Sequence, residues 1–229
     1  ESSEAFARVI VEAPRFDREE ISALLELTEG IGPSAISDWD YEELRELTSF
    51  VRSRGKIVAL HCSERVREDL DKVLDLHPSY LVHMTQASDG DLERCAQLDV
   101  PIVVCARSNM FFGMVPPLAR MVHHGVTVAI GTDNAMISMP DMFVETEFVG
   151  RLLRQQGIAR LDCVLSMAVV NGRKIINRGQ LIEFEPDTEC DLMVVRSKHG
   201  EPLTDLVLRT AGEEPLLVCA GERTWRGAR

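Results

Sequence analysis

Residues 56–64 read KIVALHCSE, an apolar run that ends at His61 and is followed three residues later by Glu64. Strands buried on both faces of a sheet have such continuous apolar runs, whereas half-exposed antiparallel strands alternate apolar and polar residues. The segment therefore predicts a central strand of a parallel sheet. Because the polar residues begin where the strand ends, we expect them at the carboxyl edge of that sheet.

Three later segments repeat this pattern, each with an apolar run followed by polar or reactive residues. The runs YLV, IVV and VAI lead to His83, to Arg107-Ser-Asn109 and to Thr132-Asp133-Asn134. Segments of helical periodicity separate them, and this alternation predicts an α/β fold with a parallel sheet. Strands are predicted at residues 8–13, 30–36, 56–61, 79–83, 101–106 and 126–132. Helices are predicted at residues 38–54, 63–76, 116–124 and 141–156, with one more capped by Ser88 through a capping box with Asp91.

The pattern changes after Arg154. Residues 161–177 predict a further amphipathic helix, and short strands follow at residues 180–184, 192–195, 206–208 and 216–219. Turn-rich stretches join these strands, so a small β appendage is expected in place of another strand–helix unit. No glycine-rich phosphate loop follows any strand, so the sequence does not support a dinucleotide site.

Composition limits the classes of function. The 229 residues include 25 Lys and Arg against 37 Asp and Glu, a net charge of −12. This acidity argues against nucleic acid and against an anionic membrane surface as partners. Apolar runs fall far short of the ~18 residues that span a bilayer. Six cysteines lie far apart without a C-x-x-C pair, which favours reduced thiols in a cytoplasmic protein.

Chemistry is predicted where several strands end. The carboxyl ends of parallel strands meet at one edge, so His61, His83 and Asp133 are able to converge there. Imidazole and carboxylate suit a divalent cation such as zinc or iron. Taken singly, each histidine is more often a packed or surface residue, and Asp133 is equally well explained as the cap of the next helix.

Four segments together resemble the second half of the barrel in the amidohydrolase superfamily. They are HCSE, LVH followed by an acidic helix start, CARSN and GVTVAIGTDN, in the family's order and spacing. The tail, from NGRKIINRGQ to CDLMVV, resembles the family's return into a β-sandwich domain. The resemblance covers residues 50–222, and its closest branch contains the cytosine, guanine and adenosine-type deaminases with the triazine chlorohydrolases.

The resemblance implies roles for individual residues. His61 and Asp133 would be metal ligands, with zinc the first expectation and iron the second. Asp133 would also act as the base that takes a proton from the attacking water. Glu64, one helical turn beyond His61, would carry that proton to a ring nitrogen of the substrate. His83 would stabilise the developing oxyanion.

Two further residues are candidates for the substrate pocket. Arg107 and Asn109, placed in the loop after the seventh strand of the barrel, would contact the substrate, although a surface cation explains Arg107 slightly better. The H-x-x-E pairing of His61 with Glu64 favours hydrolytic deamination of a small aminated heterocycle, such as a nucleobase or nucleoside. Dechlorination and amide or cyclic amide hydrolysis are the alternatives.

The resemblance also implies a fold. We expect a partial TIM-like (β/α)8 barrel, strands three to eight, over residues 1–178, and the C-terminal part of a β-sandwich over residues 179–229. The family's H-x-H pair of strand one is missing, and His123-His124 is expected at a solvated helix end. Two ligands are fewer than the three usual in a catalytic zinc site.

This deficit leaves three hypotheses open. The first is that the chain is the carboxyl-terminal piece of a longer deaminase-like hydrolase. The second is a split or degenerate member that binds a partner without catalysis, and the third is an amidohydrolase of another reaction class. The expected partners are a small-molecule substrate and either a second copy of the chain or a complementing N-terminal half.

Overall fold

The computed structural model describes residues 10–12, 15–137, 139–177, 192–197, 200–209, 211, 214–220 and 223–227. At the centre lies a six-stranded parallel sheet whose strands follow one another in chain order. They are β1 (Ile10–Val11), β2 (Gly30–Ile31), β3 (Ile57–Cys62), β4 (Tyr80–His83), β5 (Ile102–Val104) and β6 (Val128–Ile130). The prediction of an α/β fold with a parallel sheet is confirmed.

Helices connect the strands and cover the sheet. They are α1 (Arg18–Leu27), α2 (Tyr41–Ser53), α3 (Leu70–Asp75), α4 (Asp89–Gln97), α5 (Ala106–Phe111), α6 (Leu118–His123) and α7 (Met142–Gln155). Because each connection returns the chain to the same end of the sheet, the carboxyl ends of all six strands lie at one edge. That edge carries His83 at the end of β4, aligned with Cys62 of β3.

The core consists of the central strands and the apolar faces of the helices. On α2, the residues Leu44, Leu47 and Val51 follow one another at spacings of three and four and form an apolar face that is fully buried. The predicted capping box of α4 is present, with hydrogen bonds in both directions between Ser88 and Asp91. These local signals were sufficient because they involve residues three or four apart along one helix.

Strands β2 and β3 approach each other very closely at Gly30. A Cβ atom at this position would lie 2.2 Å from the carbonyl oxygen of Ile57. Only glycine therefore fits here. The strand also ends sooner than predicted, at Ile31, and a loop containing Pro33 leads to a short 3-10 helix at Ile36–Asp38.

Two predicted elements are wrong. The helix predicted from residue 63 begins only at Leu70, after the N-cap Asp69, and Val66 is exposed where an apolar face was expected. The strand predicted at residues 206–208 is part of helix α10 (Leu203–Arg209), which packs on α7. Its Val207 is buried against Gly150, where the missing side chain leaves room for it.

The chain after α7 forms a helix that is interrupted by a wider turn. Helix α8 (Asp162–Leu165) continues into a π-helical segment, Ser166–Asn171, and then α9 (Gly172–Asn177). The Nδ2 atom of Asn171 donates to the carbonyl oxygen of Val128 on β6, at 2.7 Å. The predicted helix at residues 161–177 is thus present, with a π-bulge that aims a side chain at the sheet.

A separate antiparallel sheet follows. Its strands are β7 (Leu192–Val194), β8 (Leu217–Ala220) and β9 (Arg223–Arg226), paired in that order. The predicted small β appendage is confirmed in this form, and the strand predicted at residues 180–184 lies outside the described residues. No helix in the described part of the chain has both the length and the apolar character needed to cross a bilayer.

Candidate active site

The ends of strands β3, β4 and β6 contain residues in an unfavourable backbone conformation. Ser63, His83, Met84 and Asp133 have φ values of 48°, 77°, 53° and 58°. Left-handed backbone is disfavoured for residues with a Cβ, by roughly 1–2 kcal/mol each. Such strain persists where surrounding structure enforces it, and it often marks functional sites. The carboxyl edge of the sheet is therefore the candidate site.

His83 lies at the centre of this site and is almost completely buried. The Nδ2 atom of Asn109 lies 3.0 Å from Nδ1 of the ring, and Oε1 of Glu64 lies 3.8 Å from Nε2. The His61 ring stands edge-on to it, with centroids 5.0 Å apart and an interplanar angle of 79°. When the amide of Asn109 donates to Nδ1, the ring proton is on Nε2 and faces Glu64.

The surroundings of His83 favour its neutral form. Burial lowers its pKa most, the negative charges of Glu64 and Asp133 oppose this, and His61 lowers it further, with a net result below the ordinary value for histidine. A neutral imidazole with its proton on Nε2 is a hydrogen-bond donor at neutral pH. His61 and Glu64 lie beside the buried ring. Asp133 is linked to the same region through α5, because Ser108 donates to Asp133 and the next residue, Asn109, contacts His83. The structure thus brings these predicted site residues together.

Asp133 is held in place by the segment that follows β5. The hydroxyl of Ser108 donates to Oδ2 of Asp133, and the backbone amide of Asp133 interacts with the Cys105 thiol. Burial raises the pKa of that thiol, and the negative charges of Asp133, Glu145 and Glu64 raise it further. These interactions favour the protonated form of the Cys105 thiol.

Asp133 does not cap the following helix. Helix α7 begins after Asp141, whose Oδ1 accepts hydrogen bonds from the amides of Phe143 and Val144. This excludes the alternative explanation that the sequence left open for Asp133. Its carboxylate instead accepts a hydrogen bond from the hydroxyl of Ser108 on α5.

Glu64 lies in an irregular loop that is fixed by reciprocal hydrogen bonds. The amide of Ser63 donates to Oε2 of Glu68 at 2.8 Å, and the amide of Glu68 donates back to Oγ of Ser63 at 3.0 Å. The Thr85 hydroxyl donates to the carbonyl oxygen of Glu64. The expectation that Glu64 lies one helical turn beyond His61 is thus wrong, because no helix forms there. Loop hydrogen bonds place the carboxylate instead.

Arg107 and Asn109 lie in helix α5 and not in a loop, which corrects their predicted setting. Asn109 is fully buried against His83. The Arg107 side chain is only 21% exposed, and its Nε lies 3.8 Å from Oε2 of the buried Glu145. Arg107 is therefore not a surface cation. A contact with substrate remains a prediction for both residues.

The donors present fit a divalent cation in kind but not in number. His61 and Asp133 offer the imidazole and carboxylate atoms that zinc and iron accept. No group of three His, Cys, Asp or Glu side chains suited to a metal occurs in the part of the chain that the structure describes. His123 and His124 end α6, and Nε2 of His124 lies 3.3 Å from the exposed Asp89. This pair lies at a helix end, as predicted.

The structure is an α/β fold with ionisable side chains at the carboxyl edge of a parallel sheet, and the family follows from comparison. The model of the Amidohydrolase family matches residues 12–222. The chain belongs to the amidohydrolase family, which confirms the resemblance found in the sequence.

Individual relatives agree with this assignment. A 5-methylthioadenosine/S-adenosylhomocysteine deaminase of Teredinibacter turnerae is 33% identical over 125 residues, 51% of this chain and 28% of its own length. An uncharacterized protein of Methanocaldococcus jannaschii is 29% identical over 180 residues, 71% of this chain and 46% of its own. The chain spans about half the length of curated relatives that it matches, 46% of one and 53% of another.

A solved structure supports the fold. An adenosine deaminase from Xanthomonas campestris with bound zinc superimposes with a TM-score of 0.74 at 21% identity. The match covers 85% of this chain and 51% of that one. At this sequence identity, the superposition shows that the two chains share a fold.

Three residues at the site were not singled out from the sequence, namely Ser108, Glu68 and Glu145. Ser108 stands between two residues that were singled out, so its position in CARSN was a usable signal. Glu68 and Glu145 are carboxylates in helical or loop segments that look solvent-facing. Their burial depends on contacts across 5 and 38 residues of sequence, which local patterns do not reveal.

Proposed function

We propose that the chain carries the strand-end machinery of a metal-dependent hydrolase that removes an amino group from a small heterocycle, such as a nucleobase or nucleoside. The observation that carries this proposal is the pairing of Glu64 with the buried, neutral His83, 3.8 Å apart, beside Asp133. Family membership supports hydrolysis at a C–N bond, and relatives named as deaminases support the substrate class.

The residues of this chain divide the work as follows. Glu64 is only 27% exposed and delivers a proton to a ring nitrogen of the substrate. His83 donates from Nε2 to the oxygen that adds to the ring carbon. Asp133, oriented by Ser108, accepts a proton from the attacking water, and the return of this proton to the amino group lets it leave as ammonia when the C–N bond breaks. General acid–base steps of this kind typically contribute about 10²–10⁴-fold to the rate.

A divalent cation, zinc before iron, belongs to this proposal. His61 and Asp133 would hold it, and when bound it would lower the pKa of water toward ~7. A site with three protein ligands would take at least one ligand from outside the described residues. That ligand would come from another part of the polypeptide, from a second copy or from a complementing N-terminal half.

The fold assignment can be refined in the same terms. We propose that β1 to β6 correspond to strands three to eight of a (β/α)8 barrel, occupying residues 1–178. The antiparallel sheet would then be part of a β-sandwich over residues 179–229. The sequential parallel order of the six strands supports this correspondence.

The proposal is tested by measuring ammonia release. The protein, purified in its native form and supplied with Zn²⁺, is incubated with aminated purines, pyrimidines and their nucleosides. A second, matched set of candidate substrates contains chlorinated triazines and cyclic amides, which represent the alternative reactions. We expect ammonia from at least one nucleobase or nucleoside and conversion of the amino group to an oxo group. Turnover of the matched set alone would contradict deamination, and no turnover of either set would contradict catalysis.

A further inference from the structure

Helix α5 carries two side chains that act on different strand ends. Ser108 donates to Asp133 at the end of β6, and Asn109 contacts His83 at the end of β4. Both contacts depend on the position and rotation of one helix of only six residues, Ala106–Phe111. An isolated helix of this length is unstable in water. Something outside α5 must therefore fix its first turn.

The residue that precedes α5 does not fix it. Cys105 occupies the N-cap position and makes no side-chain hydrogen bond to the helix. In contrast, helices α1, α2, α3 and α7 each begin with an aspartate whose carboxylate accepts from their first amides, and α4 begins with Ser88. Among helices α1 to α7, α5 and α6 are the two without a side-chain cap.

Glu145 supplies this cap from another element. It lies on α7 and is completely buried, and its Oε1 accepts from the amide of Arg107 at 3.0 Å. The amide of Ala106 also interacts with the carboxylate. Oε2 lies 3.8 Å from Nε of Arg107 and has no hydrogen bond. A buried carboxylate is costly unless it is compensated, and here the compensation comes from the first turn of α5.

We propose that Glu145 is a positioning residue, which holds the first turn of α5 and through α5 orients His83 and Asp133. Glu145 touches neither residue directly through a hydrogen bond. Its effect passes through Asn109 to His83 and through Ser108 to Asp133. The importance of this effect for turnover rests on the proposed function, whereas the effect on the His83 ring does not.

The test reads the His83 ring by NMR, independently of activity. Long-range ¹H–¹⁵N spectra of the labelled full chain at neutral pH distinguish the two ring nitrogens, and His83→Gln assigns the signal. We expect the wild-type ring as a single Nε2–H tautomer. Asn109→Ala removes the partner of Nδ1 and should average the two ¹⁵N shifts of the ring. This averaged spectrum is the reference for a His83 ring that has lost its single tautomer.

Two variants of Glu145 then separate the effect of its side-chain length from the effect of its negative charge. Glu145→Asp keeps the charge but retracts the carboxylate by one methylene, so it should give the averaged signal. Glu145→Gln keeps an oxygen at the amide of Arg107 and should retain the wild-type signal. Glu147→Asp, on the same helix and paired with Arg151, is the matched control and should change nothing.

Each other outcome is decisive. A wild-type signal in Glu145→Asp would overturn the proposal, because the shortened side chain would then still hold α5. Loss in both the Asp and the Gln variants would support the proposal and would show that the negative charge is needed as well as the reach. Should Glu145→Asp fail to fold, hydrogen exchange of the Arg107 amide in the wild-type chain decides. Slow exchange supports the cap from Glu145, and exchange at the rate of an open chain contradicts it.

Discussion

At the scale of single residues, two neighbours in α5 organise the site. Ser108 and Asn109 are both buried, and they bind the residues that end β6 and β4. A hydroxyl that donates to a carboxylate makes one of the stronger hydrogen bonds in a protein. Asp133, which has a positive φ, is thus held by its side chain as well as by the surrounding backbone.

Replacing Ser108 tests this arrangement. Ser108→Ala removes the donor to Asp133, and we expect the free energy of unfolding to fall by about 1.5–3 kcal/mol, the range for hydrogen bonds to charged groups. Chemical denaturation measures this. The matched control is Ser22→Ala, which removes an exposed bond to the carbonyl of Arg18 and should cost less than about 0.5 kcal/mol. Equal losses in the two variants would contradict a special role for Ser108.

At the scale of elements, the start of α4 combines a cap with an ion pair. Asp91 accepts Nε and Nη2 of Arg67 at 2.6 and 2.7 Å and also accepts the amide of Ser88. Burial alone would raise the pKa of Asp91, but the hydrogen bonds from Arg67 and Ser88 outweigh it and lower the pKa to about 2. The pair ties the loop after β3 to α4.

This lowered pKa predicts how stability depends on pH. Because the pKa of Asp91 falls from 3.8 to about 2 on folding, its contribution is present above pH 3.8 and is lost as the pH falls toward 2. The contribution is on the order of 1–2 kcal/mol, since Arg67 is partly exposed. Urea unfolding across this range should show a smaller pH dependence for Asp91→Asn. The exposed control Asp38→Asn should follow the wild type, and identical curves for all three proteins would contradict the assignment.

The contact between β2 and β3 gives a second prediction at this scale. Gly30→Ala would place a methyl group 2.2 Å from the Ile57 carbonyl oxygen, which forces the strands apart. We expect a loss of at least about 1–3 kcal/mol, the usual cost of overpacking. Gly172→Ala is the matched control, since no atom lies within 4 Å of its added Cβ. Thermal unfolding that ranks Gly172→Ala as the more damaging change would contradict this.

The elements also show what the sequence predicts and what it does not. The apolar runs of β3 to β6, the helix α2 and the capping box of α4 were predictable, because each leaves a local pattern in the sequence. Helix α10 was not, because Val207 is buried by packing across α7 at Gly150. Likewise, His83 and Asp133 were predictable from strand ends, whereas Glu145 acts through a contact 38 residues away.

At the scale of the whole molecule, the carboxyl edge of the parallel sheet brings together His61 and Asp133, which we propose as ligands of a divalent cation. His61→Ala should weaken Zn²⁺ binding by more than the roughly 10–100-fold typical of losing an outer-sphere partner. Competition against a chromophoric chelator measures the affinity. His123→Ala changes an exposed histidine at a helix end and is the control. Equal affinities in the two variants, or a wild-type protein that binds no zinc, would contradict the assigned donor.

We propose that Glu64 shuttles a proton beside the buried His83, and the substitution Glu64→Gln removes the carboxylate that would carry that proton. Ammonia release from the best aminated substrate should fall by about 10²–10⁴-fold, while bound zinc and the melting temperature stay at wild-type values. Glu93→Gln, an exposed carboxylate whose only described side-chain partner is Gln97, should keep full activity. Unchanged ammonia release in Glu64→Gln would contradict the account.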